Sequence, residues 1–243
     1  MGCDSDGATD DLREDSSAWC RHSRIRYALI ERVPWPDVKY ILSTDPHWDH
    51  SGGTAALARD SGAEVIAGRE AVQSLLQGRS TDDDPQHGEL ASMPAIAGVQ
   101  GVRDGETLTL GEVTVTARAT PGHTPGSTSL TWRSCEGGLC KDGLFAASLN
   151  PISSDGYSYP AHPALSEGLR RAFDTVRALP CDILCSSHPS ASGQDFRHAA
   201  FARGGAALIQ TLLSICLSTA QGSGGWIIDR AIEFCDRQLH RPP

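Results

Sequence analysis

Thr44-Asp45-Pro46-His47-Trp48-Asp49-His50-Ser51-Gly52-Gly53 is the stretch around which the rest of the chain can be read. Two imidazoles and two carboxylates fall within six positions, 45 to 50. The apolar run 38–42 before them reads as a buried strand, and Ser51 with the two glycines reads as a turn into a helix over residues 54–59. The cluster is therefore predicted on a loop at a strand's carboxyl end, where open α/β sheets place their ligand sites.

Imidazole and carboxylate are zinc ligands, and a catalytic zinc keeps one position open for water. His47, Asp49 and His50 cannot all point the same way from one short loop. Adjacent Asp49 and His50 suit one ion, and His47 suits a second. An isolated His-x-Asp-His group reads equally well as a helix cap or a solvated loop, so the metal reading requires more ligands downstream. Residues 111–120 alternate as a half-buried strand and end in Thr120-Pro121-Gly122-His123-Thr124-Pro125-Gly126-Ser127-Thr128, which precedes a strand over 129–132. Residues 181–185 read as a short buried strand ending at Ser186-Ser187-His188-Pro189. Three predicted strand ends thus present imidazoles.

These motifs, His47-Trp48-Asp49-His50-Ser51-Gly52-Gly53, Pro121-Gly122-His123-Thr124-Pro125-Gly126 and Ser187-His188-Pro189, resemble the metallo-β-lactamase superfamily. The finer resemblance is to class B β-lactamases of the third subclass. It rests on Thr131-Trp132-Arg133-Ser134-Cys135-Glu136-Gly137, Ser148-Leu149, Ala178-Leu179-Pro180-Cys181-Asp182 and His188-Pro189-Ser190-Ala191-Ser192-Gly193, and covers residues 25–205.

The resemblance implies an αββα four-layer sandwich with two zinc ions. His47 and His123 would hold the first ion, and Asp49, His50 and His188 the second. A hydroxide between the ions would attack the β-lactam carbonyl of penicillins, cephalosporins or carbapenems, with Asp49 orienting it. Asp49 and His47 are accordingly the candidate catalytic residues. Where the family usually places a third ligand for the first zinc, two positions before His47, this chain has Asp45. A carboxylate binds zinc but adds negative charge, so reduced or narrowed activity is expected.

Glyoxalase-like and lactonase-like relatives carry a bridging Asp near Leu144-Phe145-Ala146-Ala147-Ser148-Leu149-Asn150, whereas this chain offers Ser148, as third-subclass lactamases do. Ser148 and Asn150 are candidate partners for a metal-bound water or a substrate carboxylate. Ala147 stands where that group usually shows Asp. Two alternatives remain, a thioester or lactone hydrolase of the same fold and a zinc-binding pseudoenzyme.

The 243 residues are 39% hydrophobic, enough for a core in one domain or two small ones. The net charge of −9 argues against nucleic acid or an anionic membrane as partner. No apolar run approaches the ~18 to 20 residues of a membrane span. The expected partner is a small-molecule β-lactam, and the chain is expected to be a monomer. Residues 1–23 are acidic and polar and read as a disordered tail lacking the charged-then-apolar start of a secretory signal. Residues 24–243 read as the hydrolase domain, opening with a helix over 24–32, so some amino-terminal strands of the fold are expected to be missing. The family resemblance implies a periplasmic or secreted location.

A turn at 33–37 starts the first strand, a short strand is expected over 64–67, and a helix over 69–76. The polar run 77–86 reads as a surface loop, with Gln86 and His87 within reach of a ligand only as the less favoured alternative. Residues 161–179 read as an amphipathic helix covering one sheet face, and 208–217 as a closing helix. His22, His162, His198 and His240 lack a strand-end motif and are assigned no chemistry. Of eight cysteines, Cys135 and Cys140 bracket a glycine-rich loop and could close a small ring, a pair the family match includes. Cys216 is the expected partner of Cys181. Disulfides fit an oxidising compartment, and the absence of a C-x-x-C pair argues against a structural zinc finger.

Overall fold

The computed structural model describes residues 35–188. The acidic tail, the helix expected over 24–32, the question of missing opening strands, and the elements expected after residue 205, with Cys216, lie outside these residues.

After a single 3₁₀ turn at Trp35–Asp37, strand β1 (Tyr40–Ser43) leads into the histidine-rich loop. The loop is itself partly helical: α1 (Trp48–Ser51) is one turn, and α2 (Thr54–Ser61) follows at once. Gly62 ends α2 in the left-handed conformation, a helix stop that glycine adopts without steric cost. Strand β2 (Glu64–Gly68) lies parallel to β1. A 3₁₀ turn (Arg69–Ala71) and α3 (Val72–Gln77) then replace the continuous helix expected over 69–76, and β3 (Gln100–Val102) completes a three-stranded parallel sheet in the order β1-β2-β3.

The second sheet runs β4 (Thr107–Leu110), β5 (Val113–Ala119), β6 (Thr128–Glu136), β7 (Leu139–Ala146), β8 (Ile183–Ser186) in spatial order. The first four strands are antiparallel, and β8 joins β7 in parallel after the crossover helix α4 (Pro163–Ala178). Strand β6 extends past the expected end at Trp132 because its hairpin with β7 is long. Gly137 and Gly138 form the two-residue turn with φ of 56° and 82°, the conformation that lets a tight hairpin follow the strand twist. Cys135 faces Cys140 across this hairpin, and the two form a disulfide.

Apolar side chains decide the layering. Val65 and Ala67 of β2 pack with Ala71 and Leu75 into a cluster that Ala55 and Ala58 of α2 cover. On the other sheet α4 buries Leu169, Ala172, Phe173 and Val176, one face of an amphipathic helix. Leu42 and Ile66 of the first sheet and Val115, Ala117 and Leu130 of the second line one narrow cavity, so the two sheets face each other. This is the α/β, two-sheet αββα arrangement expected from the sequence. The backbone amide of Thr128, at the start of β6, donates to the carbonyl of Thr44, just past β1, at 2.9 Å. That bond joins the sheets at the edge where the histidine loops emerge. No helix among the described residues is long and apolar enough to cross a membrane.

Candidate metal centre

The first loop owes its shape to Asp45. One carboxylate oxygen accepts the His47 amide at 3.0 Å, and the other accepts the Ser127 hydroxyl at 3.2 Å. The Asp45 carbonyl in turn accepts the Ser43 and Ser51 hydroxyls. Asp45 is fully buried, so every one of these partners replaces lost water. The loop carrying His123 is equally tied, with Thr124 and Ser127 hydrogen-bonded to each other at 2.8 Å.

Two groups of three potential ligands result. Asp45, His47 and His123 form a buried group, and Asp49, His50 and His188 form a more open one. Within each, the ligand atoms lie within 4.8 Å of one another. In the buried group His47 Nδ1 is 3.5 Å from Asp45 Oδ1, and His123 Nε2 is 3.9 Å from Asp45 Oδ2. In the open group Asp49 Oδ2 is 3.3 Å from His50 Nε2 and 3.7 Å from His188 Nε2. Each group draws two residues from the first sheet's loop and one from the second sheet.

Hydrogen bonds assign the ring nitrogens. His123 Nδ1 lies 3.1 Å from the carbonyl oxygen of Asn150, which can only accept, so Nδ1 carries the proton and Nε2 turns its lone pair to Asp45. His47 Nε2 lies 2.8 Å from Asp84 Oδ2 and donates to it, which leaves Nδ1 for the cluster. The buried Nε2 of His50 has no hydrogen-bond partner among the described residues. A buried ring nitrogen without a partner costs free energy that a cation would remove, so this donor set fits a metal.

Burial depresses the ionisation of His50 and His123, outweighing the carboxylates nearby. Neutral imidazoles are the form a metal binds. Burial also opposes charge on His47, but its hydrogen bond to Asp84 and the charges of Asp45, Asp84 and Asp49 prevail and raise its pKa.

Of the remaining candidates, Ser148 is buried and its hydroxyl is 3.3 Å from that of Ser187, while the Asn150 side chain accepts the Ile152 amide at 3.4 Å. The Asn150 backbone carbonyl, not its side chain, is what touches His123. His87 stays half-exposed near Asp82 and His162 stacks on Tyr157, both away from the two groups. The surface loop expected over 77–86 is exposed at Arg79, Asp82 and Asp83, and the expectation fails where the run turns inward at Asp84. Asp84 is 2% exposed and bonded to His47, and the Gln86 side-chain amide approaches His123 Nε2 at 3.4 Å. A buried carboxylate needs a donor, and His47 supplies it; no local pattern in the polar run marks that partner 37 positions away.

A family profile described as Metallo-beta-lactamase superfamily matches residues 11–188 of the chain. The metallo-beta-lactamase SMB-1, bound to 2-mercaptoethanesulfonate, superposes with a TM-score of 0.78 at 37% identity, over 89% of this chain and 81% of that one. A B3 metallo-beta-lactamase described as the first with an active-site glutamic acid gives a TM-score of 0.73 at 35% identity, over 91% of this chain and 79% of that one. Among curated proteins, a hydroxyacylglutathione hydrolase of Anaeromyxobacter dehalogenans (strain 2CP-C) is 36% identical over 95 residues, 39% of this chain. The chain spans only 29% of that relative's length.

Proposed function

The chain belongs to the metallo-beta-lactamase superfamily, and from that premise we propose that it is a zinc hydrolase opening the amide bond of β-lactam antibiotics, whether penicillins, cephalosporins or carbapenems. The observation that carries this reading is the pair of three-ligand groups delivered from both sheets. Asp45, His47 and His123 would hold one zinc, and Asp49, His50 and His188 the other. Zinc bound there supplies a Lewis acid and lowers the pKa of water toward ~7.

The protein's own residues prepare the site. The Asn150 carbonyl fixes the His123 ring, and Asp84 fixes that of His47. Asp49, about a third exposed, offers a carboxylate oxygen at the open rim, where it can accept a hydrogen bond from an attacking water and orient it. Ser148, two residues past the end of β7, offers a hydroxyl, which meets that of Ser187 at 3.3 Å, where other relatives would supply a bridging carboxylate. The Cys135–Cys140 disulfide suits an oxidising compartment, which supports a periplasmic or secreted location.

A thioester hydrolase is the second reading, favoured by the hydroxyacylglutathione hydrolase among the relatives. The separating experiment loads the full chain with zinc, counts ions per chain, and compares turnover of nitrocefin and meropenem with that of a hydroxyacylglutathione. Lactam turnover well above thioester turnover is expected. The reverse order replaces the proposal with the second reading, and two bound ions with neither reaction replaces it with a pseudoenzyme.

Asp45 should hold this activity down, since a carboxylate weakens the Lewis acidity of the ion it binds. Asp45→His is therefore expected to raise zinc content or imipenem hydrolysis. It also removes the two hydrogen bonds from His47 and Ser127, each contributing about 1 kcal/mol. No gain in either measurement refutes the weakening role.

A further inference from the structure

Asp84 is a buried carboxylate that belongs to neither three-ligand group. It stands on the loop between α3 and β3, yet its side chain is 1% exposed and lies against His47 Nε2 at 2.8 Å. Its other oxygen accepts the Gln86 amide at 2.8 Å, so both oxygens are engaged. The backbone around it is held as well. The Asp84 amide donates to Thr81 at 3.0 Å, the His87 amide donates to the Asp84 carbonyl at 3.0 Å, and both the amide and the hydroxyl of Ser154 donate to Pro85 at 2.9 Å.

Burying a carboxylate costs several kcal/mol unless donors meet it. A surface loop would not normally carry that cost. Here the carboxylate fixes one ring. It binds the Nε2–H of His47, sets the tautomer, and leaves Nδ1 facing Asp45 at 3.5 Å. A ligating histidine commonly donates its second nitrogen to such a partner, and loss of the partner weakens metal binding 10- to 100-fold.

The geometry points to Asp84 as a positioning residue that orients His47 and thereby sets the zinc affinity of the buried Asp45–His47–His123 group, leaving the open group untouched. This rests on His47 being a zinc ligand. The two ideas are separable because zinc affinity can be read site by site without any turnover.

The test titrates the full chain and its variants with zinc alone against a chromophoric chelator, with circular dichroism to verify folding. His47→Ala identifies the ion that belongs to the buried group. Asp84→Ala is expected to weaken that ion's binding about 30-fold, within the range for such partners, and to leave the other ion's affinity unchanged. Asp84→Asn keeps one acceptor oxygen at nearly the same volume, so it should recover part of the loss. It carries the test alone if the alanine variant does not fold. Wild-type affinity at both sites in the asparagine and alanine variants, or an equal loss at both, overturns the proposal. A wild-type chain that loses no ion on His47→Ala overturns the ligand reading itself.

Discussion

If the proposed reaction holds, His123→Ala is expected to lower β-lactam hydrolysis by at least about 100-fold and to cost the chain one zinc, because two protein ligands remain. The reason is the composition of the buried group. His123 is its one contribution from the second sheet, held from behind by the Asn150 carbonyl. Removing it leaves Asp45 and His47 facing a hole, and two protein ligands are fewer than catalytic zinc sites use. The replacement is compatible with folding, since a smaller side chain leaves the loop's own Thr124 and Ser127 bonds intact. Metal analysis of the purified variant, with nitrocefin turnover measured beside it, checks the expectation. A variant that retains both ions and full turnover would remove His123 from the site.

Gly126→Ala has a large expected effect on stability. A methyl group at this position would lie 2.3 Å from the Ala71 nitrogen and 2.6 Å from its Cα. These are backbone atoms of the 3₁₀ turn Arg69–Ala71, and no rotamer change relieves the clash. Either that turn or the His123 loop must move. Overpacking of this kind costs about 3 kcal/mol, which in a chain of this size lowers Tm by roughly 6 to 12 °C. Activity should fall too, because residues 123–128 move as one hydrogen-bonded loop. Gly53→Ala is the control: nothing lies within 4 Å of a methyl there and its φ of −87° suits alanine. Thermal unfolding of both variants decides, and a Gly126→Ala Tm within a degree of the parent refutes the close-packing account.

The donor chemistry made the two ligand groups legible. Histidine and aspartate bunched at strand ends are informative by type, and the strands that carry them have short apolar runs flanked by glycine and proline. The same reasoning located β1, β2, β5 and α4 within a few residues. It missed β3 and β4, because Gln100–Val102 is three residues long and the alternation of Thr107–Leu110 spans only four. It misjudged Asp84 for a related reason. In a run as polar as 77–86, an aspartate that turns inward looks like those that face water, and its partner is distant in sequence. Asn150 shows a further limit: its contribution to His123 is a main-chain oxygen, which residue type does not encode.

Each ligand triad spans both sheets, and the hydrogen bond from the Thr128 amide to the Thr44 carbonyl lies at the same edge. An ion at either position would therefore act as a rivet through the sandwich, opposing any shear of one half against the other. Loading and stripping zinc should for this reason change resistance to proteolysis and heat as well as turnover, since a ligand that binds only the folded state draws the whole equilibrium toward it. Metal supply would then govern how long the molecule survives in its compartment.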